Sequence, residues 1–179
     1  MKIMYFVHGT TYDNAAEKCS GWKQVELNEL GVEQAKKLGE ITRDFEFDVI
    51  FTSDLIRAID SANLAWPNIK KIQDARLREC NYGDYDGGSK DLVVYEKHID
   101  KAFPGGESLI DVEKRITEFI GDLKKDYGDK KIAIMSHRAP QLALEVITKN
   151  KTWEKAIKDD WRNTKNWQPG WLYNVEKNF

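Results

Sequence analysis

Three apolar runs in this chain stop in the same abrupt way, and that shared ending restricts the fold more than any other feature. "KIMYFV" stops at His8-Gly9, "FDVIF" at Thr52-Ser53-Asp54, and "KIAIM" at Ser136-His137. Their β-branched and aromatic side chains do not alternate with polar ones, which suits strands covered on both faces in a parallel sheet. Helical patterns lie between them. "NELGVEQAKKLGEIT" can be capped by Asn28 and carries Leu30, Leu38 and Ile41 near one face. "SDLIRAIDSANLA" starts from Ser53 or Asp54 and runs to Ala65, with Pro67 as a stop. The clearest helix is capped by Ser108 and ends near Gly128, with Leu109, Val112, Ile116, Phe119, Ile120 and Leu123 as its stripe. "APQLALEVIT" follows His137 and tolerates Pro140 in its first turn. Strands alternating with helices predict an α/β fold, a three-layer sandwich with a mostly parallel central sheet. No repeat or linker interrupts the pattern, so residues 1–179 read as one domain.

In open α/β sheets, ligands bind beyond the carboxyl ends of the strands. The sequence puts His8, Ser53 and His137 there, with Arg57 in the first turn of the helix after Ser53. A guanidinium beside strand-end imidazoles makes a cationic pocket, and free N–H groups at helix starts favour an anion, best a phosphate dianion. That attraction has to be local. With 28 basic and 30 acidic residues the net charge is −2, so no global field recruits nucleic acid or an anionic membrane. No run approaches the ~18 apolar residues of a membrane span. "MKIMYFV" is too short for a signal peptide, and a cytoplasmic protein is expected. Cys19 and Cys80 lie far apart in no metal-ligand spacing and read as reduced thiols.

These residues carry a resemblance. The chain is similar to the histidine phosphatase superfamily, which includes the cofactor-dependent phosphoglycerate mutases and many small phosphatases. Val7-His8-Gly9-Thr10-Thr11, then Asn14, resembles the family's opening Arg-His-Gly motif. "CSGWKQVELNELGVEQAKKLG" resembles its next block, "FTSDLIRAIDSA" its Ser-Asp-Leu-x-Arg-Ala signature, and "LRECNYGDYDG" the block with the proton donor. "FPGGESLIDVEKRI" and "IAIMSH" resemble the last two, so the likeness spans roughly residues 1–148. It implies a phosphoglycerate mutase-like fold and a phosphomonoester hydrolase acting through a phosphohistidine on His8. Arg57, His137 and Asn14 would hold the phosphoryl oxygens. Glu79 would protonate the leaving oxygen and then activate water, a role that asks for a carboxyl pKa raised by burial or nearby negative charge. Gly9, Ser20, Gly21 and Arg138 would complete the substrate site. The substrate is expected to be a small phosphorylated metabolite, with no cofactor and no metal. Each residue also has a plainer reading. His8 and His137 could be core imidazoles, Arg57 a surface ion-pair partner, Glu79 a solvated carboxylate and Asn14 a turn or cap residue.

One position departs from the family. Where it carries arginine, this chain has Val7, and losing one aligned donor costs on the order of 3 kcal/mol in such a transition state. Arg138, where the family more often has glycine, could restore the charge or pair with an acidic residue. The departure keeps open a catalytically impaired protein that binds phosphorylated ligands or a partner. A mutase is the other alternative: Cys19-Ser20-Gly21-Trp22 resembles the mutase substrate loop, but Cys80 stands where a mutase carries arginine. The loop-rich middle, from "LRECNYGDYDGGSK" to "FPGGES", is expected to form a lid or substrate wall. His98 reads as a surface residue. In the tail, Trp153, Ile157 and Trp161 share a helix face and Pro169-Gly170 turns into a last strand, "WLYNV". Its tryptophans pack on the sheet by default, although Trp167 or Trp171, with Trp22 and Tyr82, could wall the pocket.

Overall fold

The buried runs pair directly with one another. In the computed structural model, which describes residues 1–175, β1 (Lys2–Val7), β2 (Val49–Thr52), β3 (Lys71–Gln73), β4 (Ile132–Ser136) and β5 (Trp171–Asn174) form a sheet of order β3-β2-β4-β1-β5. All pairings are parallel except β1 with β5. The two least polar strands, β2 and β4, are buried at every residue. β5 alternates, as an antiparallel edge strand covered on one face should.

Period two along the central strands makes the layers. Ile3, Tyr5, Val49, Phe51, Ile132 and Ile134 face one core, filled by α4 (Leu109–Tyr127) and α5 (Arg138–Lys149). Phe6, Ile50, Ala133 and Met135 face the other, against α2 (Glu29–Ile41) and α3 (Ile56–Ala65). The result is the expected α/β sandwich. Ser108 caps α4 in a reciprocal box with Asp111, and Asn28 caps α2 through Gly31 N–H.

Four expectations need correction. α2 buries Gly31, Ala35 and Leu38, while Leu30 and Ile41 are exposed. The reason is proximity: a Cβ on Gly31 would sit 2.0 Å from Thr10 O, and one on Gly39 2.3 Å from Ala65 O. Only a small-residue face lets this helix approach so closely. α3 begins at Ile56 behind Leu55, with no side-chain cap from Ser53 or Asp54. The tail breaks after Lys158, so Trp153 and Ile157 are buried on α6 (Trp153–Lys158) while Trp161 opens α7 (Trp161–Thr164). His98 is half-buried rather than a free surface residue, stacked on Phe103 with ring centroids 3.7 Å apart. Both cysteines are free and buried. Among the described residues no helix is long and apolar enough to cross a membrane.

Candidate active site

The register of β1 against β4 sets Val7 beside Ser136, so the next residues, His8 and His137, leave the sheet as neighbours. Their rings lie 5.0 Å apart. Tyr5 pins the two strand ends together: its hydroxyl donates to His137 O (2.7 Å) and accepts from His137 N–H (3.1 Å).

The tautomer of His8 is fixed by its neighbour. His8 Nδ1 lies 2.7 Å from Gly9 O, and a carbonyl only accepts, so the proton is on Nδ1 and the Nε2 lone pair is free. Burial pushes His8 down to about 3, with the Arg57 and Arg162 charges acting the same way against the Gly9 carbonyl, which favours the proton. His137 is fully buried, with Nε2 2.6 Å from Ser53 Oγ. Ser53 Oγ accepts from Leu55 N–H and keeps one proton and one lone pair, so it can pair with Nε2 whether the ring proton sits on Nε2 or on Nδ1. That Nδ1 is buried without a hydrogen-bond partner among the described residues. Burial and then Arg57 hold His137 well below its ordinary pKa. Both rings are therefore neutral at physiological pH.

Arg57 comes from the first turn of α3 and is buried at 2 % exposure. Its Nη1 donates to Lys23 O and its Nη2 to Gly21 O, which fixes the fork and leaves one proton on each nitrogen. Gly21 has φ +47°, and a Cβ there would strike the Asp86 carboxylate at 1.8 Å. Glycine is what lets this turn present its carbonyl to Arg57. Ser20 Oγ donates to Asp13, and Asn14 accepts Thr11 N–H as part of the cap of α1 (Tyr12–Ala15), which leaves the carboxamide NH2 for a ligand. A Cβ at Gly9 would lie 2.4 Å from Gly31 O, so glycine here lets the loop after β1 pack closely against α2.

Glu79 is buried and joins its own loop to α5. Oε1 accepts from Cys80 N–H and Ala139 N–H, both at 2.9 Å, and Oε2 accepts from Arg138 N–H at 3.1 Å. Its own carbonyl accepts from Trp22 Nε1 and Arg115 Nη2. Trp22 thus braces the Glu79 backbone and is not among the residues lining the cavity, while Tyr82 is. Arg138 also lines it, but its guanidinium is paired with the buried Asp160 (2.7 Å) and lies over Tyr95.

One cavity of about 680 Å³ has Val7, His8, Asn14, Ser20, Gly21, Arg57 and Glu79 in its walls; His137, fully buried, is not among its lining residues. The loop-rich middle supplies a wall through Tyr82, Lys90 and Val93, as its glycines suggested. A smaller cavity of about 380 Å³ borders Val7 and His8 from the tail side, lined by Trp161, Trp167 and Trp171. Arg162, which the sequence reading passed over, lines the larger cavity. Nothing in "DDWRNTK" marks it, because its position depends on how the tail folds back.

A profile of the histidine phosphatase superfamily (branch 1) matches residues 4–166. The chain belongs to this superfamily. Among relatives of this histidine phosphatase family member, an uncharacterized phosphatase of Bacillus subtilis, PhoE, is 30% identical over 139 residues, 76% of this chain and 72% of its own. A 2,3-bisphosphoglycerate-dependent phosphoglycerate mutase of Rhizobium meliloti is 30% identical over 170 residues, 84% of this chain and 81% of its own. A solved structure of mycobacterial glucosyl-3-phosphoglycerate phosphatase with VO3 superimposes with a TM-score of 0.79 at 25% identity, covering 87% of this chain and 86% of that one. Bacillus stearothermophilus YhfR matches with a TM-score of 0.86 over 98% of this chain and 92% of its own, and at 23% identity it speaks for the fold alone.

Proposed function

We propose that this superfamily member hydrolyses small phosphomonoesters through a phosphohistidine on His8. The observation that carries the reading is the His8 tautomer. A neutral imidazole, locked through Nδ1 and free at Nε2, faces the cavity that Arg57 and Glu79 line.

In this reading Ser53 donates to His137 Nε2, the ring proton sits on Nδ1, and the substrate phosphate meets that N–H together with the remaining guanidinium protons of Arg57 and the Asn14 amide. A buried donor without a partner costs roughly 1–3 kcal/mol, which a phosphoryl oxygen would return. His8 Nε2 forms a bond to phosphorus as the ester P–O bond breaks, and Glu79 gives its proton to the departing oxygen. Glu79, now ionised, takes a proton from water as that water attacks the phosphohistidine. Inorganic phosphate leaves, and both His8 and Glu79 return to their starting states. The low pKa of His8 keeps its lone pair available throughout the physiological range.

The test is phosphate release from p-nitrophenyl phosphate by the wild type and His8→Ala, with mass spectrometry of acid-free quenched enzyme. Turnover that survives in His8→Ala, or a phosphoryl group found on another residue, overturns the reading. The mutase relatives carry a second reading, phosphoryl transfer between positions of a phosphoglycerate. Isomer interconversion outpacing phosphate release, in the presence of 2,3-bisphosphoglycerate, would favour it.

A further inference from the structure

Resting on the phosphatase reading above, we propose that Arg162 of the tail is the second guanidinium of the phosphate pocket, and that buried Asp160 positions it. The family arginine absent at Val7 would thereby be replaced from the opposite end of the chain.

Charge on the cavity wall leads to this residue. The wall carries five cationic side chains: Lys18, Arg57, Lys90, Arg138 and Arg162. Lys90 is paired with Glu17, and Lys18 is exposed at the rim. Arg138 is paired through Nε with Asp160 and covered by the Tyr95 ring. Of the three guanidiniums on this wall, Arg57 is the one with no carboxylate partner among the described residues, and it faces a pocket that also holds the Glu79 carboxyl. Both histidines are neutral, so they add hydrogen-bond donors and no charge. A phosphate dianion there meets too little positive charge unless another cation contributes.

Arg162 is placed to contribute. It shares the cavity wall with His8, Arg57 and Glu79, and its charge reaches both imidazoles, acting after burial and Arg57 to hold them unprotonated. Its Nη1 donates to Asp160 Oδ1 (3.0 Å) and Gln141 Oε1 (3.4 Å), while Nε and Nη2 have no hydrogen-bond partner among the described residues. The guanidinium rests on the Trp161 ring, 4.2 Å from its centroid, which limits its swing. Asp160 has no exposed side-chain surface and serves two guanidiniums at once, Arg138 through Oδ2 and Arg162 through Oδ1. Against the pull of burial, Arg162 and Arg138 hold its carboxyl below the ordinary range. One carboxylate between two guanidiniums leaves the cluster with a charge of +1 beside the pocket. Val7 borders the same cavity and supplies no donor.

The experiment measures inorganic phosphate binding by calorimetry together with kcat and KM on p-nitrophenyl phosphate. Arg162→Ala should weaken phosphate binding at least tenfold and lower kcat/KM roughly a hundredfold. Arg162→Lys should fall between, since it keeps the charge without the fork. Val7→Arg placed in the Arg162→Ala background should recover at least tenfold in kcat/KM. Asp160→Asn should lower kcat several-fold while phosphate binds as tightly as before or more so, because the cluster gains charge and loses orientation. A purely structural Asp160 would weaken both together. Phosphate affinity and kcat/KM within twofold of wild type in Arg162→Ala overturn the proposal, as does failure of Val7→Arg to rescue. Wild-type protein that binds phosphate but hydrolyses no ester would sink the phosphatase reading instead, and the binding arm would still decide the role of Arg162.

Discussion

Glu79→Gln separates what this side chain does for the fold from what it does for the reaction. Glu79 accepts three N–H bonds, two at Oε1 and one at Oε2. A glutamine oxygen can take the Oε1 place and keep the bonds from Cys80 and Ala139. Its NH2 then faces the Arg138 N–H across 3.1 Å, donor against donor. One lost bond and one unsatisfied buried donor should cost about 1–3 kcal/mol of stability, read as a lower urea midpoint at unchanged slope. The kinetic effect should depend on the leaving group. An alkyl phosphate needs a proton on its departing oxygen, and removing the acid should lower its kcat/KM by about 10²–10⁴. p-Nitrophenolate leaves without help, so kcat/KM on that substrate should fall only a few-fold. Breakdown of the phosphohistidine still needs a base, so kcat should fall for both substrates. In rapid mixing, the variant should release a burst of one nitrophenolate per enzyme before a slow steady state. Equal losses in kcat/KM on the two substrates, with no burst, would refute the assignment of Glu79 as the acid.

Two further outcomes follow from the surroundings of His8. Gly9→Ala puts a Cβ 2.4 Å from the Gly31 carbonyl, a backbone atom that cannot rotate away, and should cost about 1–3 kcal/mol. It should also slow turnover by displacing the carbonyl that orients the imidazole, and a urea midpoint equal to wild type would contradict this. The unfolded chain binds a proton at His8 near pH 6.5, whereas the folded chain does not until about 3, so stability falls as pH drops between those values. From pH 7 to 5 the wild type should lose about 2 kcal/mol at most through this group, and His8→Asn should lose correspondingly less.

The parallel sheet was legible because β1, β2 and β4 are apolar on both faces, and Ser108 and Asn28 were legible as caps because capping is local. His8 and His137 were legible as partners because each directly follows a core strand. The buried face of α2 was not. Residue size alone favours Leu30 and Ile41, yet the close crossing against Thr10 and Ala65 demands Gly31, Ala35 and Gly39. Arg162 was hidden for a related reason. Asp160 and Trp161 are its chain neighbours, but Gln141 and the cavity wall reach it only after the tail has packed across α5. Local pattern finds residues fixed by their own strand and misses those fixed by distant ones.

The Tyr5 hydroxyl, bonded to both backbone groups of His137, has an evolutionary consequence. It makes the spacing of the two rings a property of the scaffold, whereas much of the cavity wall comes from residues 82–93 and the tail. If His8 acts as proposed, ester preference can therefore drift, or be redesigned, by rewriting those peripheral stretches while the geometry around His8 is inherited unchanged.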